Sequence, residues 1–141
     1  MSAVITQLRR SDRGAAAVEM AIVLPLLLLL VFGAIDFGRM YFTQITLTAS
    51  AREGVRASAL GRASSVPTIV TTAAQPITGV TGAVTVACPA TVSGNVSTTV
   101  VASYTYRFIT PIGPIARLIS GGSALGGNVA MSGKGVMRCL G

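Results

Sequence analysis

The sequence predicts an α+β protein: a long N-terminal helix that crosses a membrane and continues as a stalk, followed by a small antiparallel β-rich domain. Three observations carry this. The run Ala15 to Ile35, AAAVEMAIVLPLLLLLVFGAI, is long and apolar enough to span a bilayer as a helix. After Arg62 the composition shifts from helix formers to Ser, Thr, Val, Gly and Pro. From Val96 to Phe108 apolar and polar residues alternate.

Taken in order, residues 1–14 read as a basic cytoplasmic leader peptide, 15–35 as the transmembrane helix, 36–62 as the helical stalk and 63–141 as the extracytoplasmic domain. Arg9, Arg10 and Arg13 precede the apolar run, whereas Asp36 and Arg39 cancel just after it. The positive-inside rule then keeps the N-terminus in the cytoplasm. A cleaved secretory signal fits poorly: the small residues Ala15 to Ala17 precede the hydrophobic core, and FGAIDFGR beyond it offers no clean small-x-small cleavage site. Helical periodicity continues through Phe37, Met40, Gln44, Leu47, Ala51 and Val55. A helix from Ala15 to about Leu60 would be roughly 70 Å long, with Gly61 as its stop. Pro25 removes a backbone donor within it and should kink or loosen the helix; it reads either as a designed bend or as a proline that membrane helices simply tolerate. Small residues on the helix (Ala21, Gly33, Gly38, Ala49, Ala51, Gly54) would admit a closely packed partner helix.

In the C-terminal part, Ala63 to Thr81 reads as a loop or a weak helix. Strands are expected at about Val80 to Cys88, Val96 to Phe108 and Asn128 to Leu140, with PIGPIARLISGGSALGG connecting the last two. Cys88 falls in step with Val84 and Val86, and Cys139 with Met131 and Met137, which points to a bridge between neighbouring strands. One disulfide is the natural pairing in an exported domain; free buried thiols are the alternative.

With 141 residues, 51% of them hydrophobic and 11% charged, the chain has room for one small domain and is too apolar for an ordinary soluble one. The net charge of +7 raises nucleic acid as a partner, but the basic residues form no dense stripe and few aromatics are available for stacking. Histidine is absent and only four carboxylates exist, so the common acid–base, nucleophilic and zinc constellations cannot be assembled. The glycines of SGGSALGG lack the following GK[ST] of a phosphate loop. No enzyme activity, metal, cofactor or small-molecule substrate is expected. Glu19 stands out, because an acid within an apolar helix is costly without a partner or water; near the interface, hydration would suffice.

The run RRSDRGAAAVEM, with Gly14, Ala15 and Glu19, resembles the site that prepilin peptidases cut in type IV pilin-like proteins. The following LPLLLLLVFGAIDFGR and TASAREGVRASA are similar to the TadE-like family of the tight-adherence pilus, which shares the order GAAAVE, LP, FG and AREG; the resemblance covers about Arg13 to Ala59. Met20 departs from it, standing where an aromatic residue is usual. The resemblance implies a minor pilin or pseudopilin cut after Gly14, with Ala15 as the mature N-terminus. It further implies that Glu19 neutralises the Ala15 amine of a neighbouring subunit. Its partners would be the prepilin peptidase, other pilin or pseudopilin subunits and inner-membrane lipid. Its location would be the bacterial inner membrane and, after assembly, the pilus or cell surface. The alternative is an uncleaved, signal-anchored protein with an extracytoplasmic binding domain.

Overall fold

The computed structural model describes residues 4–91, 94–110 and 127–140. The protein is α+β, with the elements α1 (Val4–Ala59), a 3-10 turn (Ala63–Ser65), α2 (Val66–Ala73), β1 (Thr81–Val86), β2 (Ser97–Tyr106) and β3 (Val129–Arg138). The chain divides into two compact units. Unit one is Met1–Asp36 with Phe108–Gly126, and unit two is Phe37–Arg107 with Gly127–Gly141.

Helix α1 begins before the expected start at Ala15 and includes Pro25 without a break in helical assignment. Pro25 has no N–H to offer the carbonyl four residues earlier. At the other end α1 stops as its sequence predicts. Gly61 takes φ +77°, the Arg62 N–H donates to the Ala57 carbonyl at 3.0 Å and the Gly61 N–H donates to Ser58 at 3.1 Å. Those two bonds and the left-handed glycine make a Schellman ending. The stretch Ala63 to Thr81, open between loop and helix on sequence, contains α2, whose first turn accepts Pro67 because N–H groups there lack intrahelical partners anyway.

In unit two, three strands form an antiparallel sheet in the order β1-β2-β3. Ser97 to Tyr106 pairs without interruption with Arg138 to Val129. The alternation expected along β2 is present: Thr98, Val100, Ala102 and Tyr106 are buried, whereas Ser103 and Thr105 are exposed. The register of β1 against β2 shifts between Val84 and Val86, which turns Val86 outward to 49% exposure. The assumed phase from Val84 through Val86 to Cys88 therefore fails at a bulge, which re-aims side chains wherever it occurs.

The segment read as a stalk supplies the helical layer of unit two. Leu47, Ala51, Val55 and Ala57 of α1, Val66 and Val70 of α2, and Val100 and Ala102 of β2 form one buried cluster. Alanine and valine dominate it, so the layers approach closely. A Cβ built on Gly133 would lie 2.4 Å from the Leu47 carbonyl carbon, and one on Gly135 would lie 2.6 Å from the Ala51 oxygen. Gly54 likewise makes room for Val70 and Val100. Ala51 and Gly54, read as admitting a second helix, are thus consumed within the chain itself. Helix and strand run in the same direction: the Gln44 amide donates to the Ser132 carbonyl at 3.0 Å, and the Leu140 N–H donates to the Ala59 carbonyl at 3.2 Å. The helical stretch 44–59 covers about 22 Å and the strand stretch 132–140 about 26 Å, so the two contacts close over matched lengths.

Candidate membrane and assembly helix

Gly14, Ala15, Glu19 and Pro25 all lie on α1, and all four are exposed. A Cβ added at Gly14 would meet nothing within 4 Å. Packing among the described residues therefore gives no reason for glycine at this position. Ala15 and Glu19 are four residues apart, about 6 Å along the axis and on one side of the helix. Glu19 shares a shallow surface depression with Ala16, Met20 and Val23, apolar neighbours beside which an acid would be costly in a bilayer.

The side chains that follow are the apolar surface the sequence anticipates. Ile22 is 72% exposed, Leu26 67% and Leu30 71%. From Gly14 onward α1 is long and apolar enough to cross a membrane, and none of its most apolar stretch is buried inside the protein. An apolar surface of this extent requires a covering phase: lipid, other helices, or both. A single-pass membrane anchor satisfies that requirement.

Asp36 ends the apolar run, and its place in the structure goes beyond the charge balance read from sequence. It is 1% exposed and accepts hydrogen bonds from the Thr110 hydroxyl and, at 3.5 Å, from the Ile109 N–H. These partners lie more than seventy residues away in sequence. Only its position, a lone acid closing an apolar run, marked it beforehand.

The predicted cysteines lie in unit two, away in sequence from the other candidate residues. Cys88 and Cys139 are joined by a disulfide with a Cα–Cα distance of 5.8 Å. The bridge does not join neighbouring strands, as the sequence suggested. β2 separates β1 from β3, and both cysteines stand just beyond the ends of those outer strands. The link passes the start of β2, where the Cys139 N–H donates to the Val96 carbonyl at 2.9 Å. Closing a loop of 51 residues stabilises the fold by about 4 kcal/mol in the chain-entropy account.

Among the described residues no group of three or more His, Cys, Asp or Glu side chains is placed to hold a metal ion. The connection PIGPIARLISGGSALGG lies, apart from its last glycine, outside the described residues.

No curated protein and no solved structure matches the chain. A family model described as TadE-like protein does match, over residues 14–56. The match starts at the glycine of the leader-like motif and covers the apolar helix and most of the helical layer of unit two. Over this segment the chain is similar to TadE-like proteins.

Proposed function

We propose that the protein is a minor pilin or pseudopilin of a tight-adherence, type IV-like pilus or secretion system, and that it has a structural role and no enzymatic one. The observation that carries this reading is the coincidence of the TadE-like match, which begins at Gly14, with a helix whose apolar surface is left uncovered among the described residues. A prepilin peptidase cuts after Gly14 on the cytoplasmic side of the inner membrane, and Ala15 becomes a charged N-terminus. The domain beyond the apolar run lies outside the cytoplasm, where its disulfide is chemically at home.

Cleavage creates a cation in apolar surroundings, and Glu19 is the acid that answers it. In a neighbouring subunit shifted along the helix axis, the Glu19 carboxylate meets the Ala15 ammonium, and each offsets the other's desolvation. Pro25 loosens the helix between this contact and the folded unit. Other pilin or pseudopilin subunits and membrane lipid cover the remaining apolar surface.

The test is a Glu19→Ala variant expressed with its partner subunits. It is expected to insert and be processed but to drop out of sheared surface filaments or of cross-linked complexes at the membrane. Normal incorporation of the variant would contradict the proposed pairing.

A further inference from the structure

Within unit two, the outward face of α1 stays apolar beyond the run that reads as a membrane segment. Phe37 is 67% exposed, Tyr41 63%, Phe42 54% and Ile45 52%. Phe37, Tyr41 and Ile45 recur every four residues and so share a stripe. Further along the helix the exposed positions turn charged, with Arg52, Glu53 and Arg56. Large apolar groups gathered at one end of an element, with charge at the other, mark a boundary between two phases.

Arg39 lies at the same level but round the helix from that stripe, one turn before Phe42. Its guanidinium carbon lies 5.9 Å from the centre of the Tyr106 ring, a cation–π distance that orients the side chain. Beside it opens a groove of about 410 Å³ walled by Phe42, Ile77, Tyr104 and Tyr106. Asp36, three residues before Arg39, already accepts hydrogen bonds from Thr110 and Ile109, and beyond it the charge is one-sided. Unit two holds seven basic residues (Arg39, Arg52, Arg56, Arg62, Arg107, Lys134, Arg138) and a single acid, Glu53. That acid is fourteen residues from Arg39 along the helix, about 21 Å away.

We propose that this collar binds the headgroup of an anionic phospholipid, with the Arg39 guanidinium on the phosphodiester and the neighbouring aromatic rings among the glycerol and upper acyl carbons. The planar fork of arginine matches two phosphate oxygens better than a point charge does. Tyrosine and phenylalanine favour the layer between water and hydrocarbon. Chain order supplies the depth, because Phe37 directly follows the end of the apolar run. The inference rests on the membrane-anchored reading above and gives the anchor a lipid preference.

The experiment is native mass spectrometry of the full chain released from detergent micelles containing phosphatidylglycerol or phosphatidylcholine. The wild type should retain phosphatidylglycerol over phosphatidylcholine. Arg39→Gln should lower phosphatidylglycerol retention roughly fivefold, while Arg56→Gln leaves it unchanged. Arg39→Lys, which keeps the charge and loses the fork, should fall between wild type and Arg39→Gln. Millimolar inorganic phosphate should not displace the lipid. Undiminished retention by both Arg39 variants, an equal loss in Arg56→Gln, or displacement by phosphate overturns the proposal. For protein made in cells that carry the prepilin peptidase, the intact mass in the same spectra tells a processed chain from an unprocessed one, so a processed chain without lipid preference defeats this inference alone. An unprocessed chain that still prefers phosphatidylglycerol defeats only the pilin pathway.

Discussion

At the scale of single residues, the buried polar groups of unit two are few and fully committed. Thr98 is completely buried and Ser58 is 1% exposed. The Thr98 hydroxyl donates to the Val86 carbonyl at 2.7 Å, which leaves it to accept from the Ser58 hydroxyl, also at 2.7 Å. Three elements, α1, β2 and the bulged end of β1, thus share one hydrogen-bond relay of fixed direction. The relay satisfies the Val86 carbonyl at the point where the β1 register shifts. Replacing Thr98 by valine keeps the shape and removes both bonds. It is expected to lower the unfolding free energy of the full chain in detergent by about 1–3 kcal/mol, measured by denaturant titration followed by circular dichroism. An unchanged midpoint would mean that the relay does not bear on stability. Three threonines on α1 behave differently: Thr43, Thr46 and Thr48 each donate back to the carbonyl four residues earlier. They are satisfied without a tertiary partner.

At the scale of elements, α1 and β3 make the fold, and they make it through glycine. The pair Gly133 and Gly135 puts two backbones without side chains on one face of the strand, directly under Leu47 and Ala51. Gly135→Ala is expected to destabilise the full chain by about 1–3 kcal/mol or more, since its new methyl would press on the Ala51 carbonyl. Gly38→Ala is the matched control. A Cβ there meets nothing within 4 Å, so the exchange should be neutral or stabilising by up to about 1 kcal/mol. Thermal unfolding of the two variants side by side distinguishes a packing requirement from a general intolerance of substitution.

This contact also explains which parts of the fold were legible beforehand. The long helix, its stop at Gly61 and the three strands follow from local periodicity and turn chemistry, so the sequence predicts them. The alternation G-x-G within MSGKGVM was the available sign of a close approach, but glycine in a strand has several causes and its partner lies about eighty-five residues earlier. The same limit applies to AREG, whose Ala51 and Gly54 face inward while Arg52 and Glu53 face solvent. The cysteine pair could be proposed from count and compartment, whereas the position of the bridge depends on strand order. The bulge after Val84 has no separate signature in its own residues. For the candidate site, Gly14, Ala15 and Glu19 were legible as a motif. The burial of Asp36 and the pairing of Arg39 with Tyr106 were not, because both depend on the segment near residues 106–110 returning to the helix.

At the scale of the whole molecule, the two units answer different demands. Unit two builds a small core from alanine and valine and gains a disulfide, as small exported domains often must. Unit one contributes an apolar helix that its own described fold leaves uncovered. In the proposed function the helix would reside first in lipid and then in an assembly, with cleavage after Gly14 as the step that commits it. Among the described residues nothing packs against Gly14, so a requirement for it would come from the peptidase.

The most direct test of the account is therefore the intact mass and N-terminal sequence of the protein isolated from membranes of cells with and without the prepilin peptidase. The account predicts a start at Ala15 that depends on the peptidase and is lost in Gly14→Ala, with the disulfide still formed. A start at Met1 in both backgrounds would contradict it and favour an uncleaved anchored binding protein, and a start beyond Ile35 would mean removal of the helix as an ordinary signal peptide.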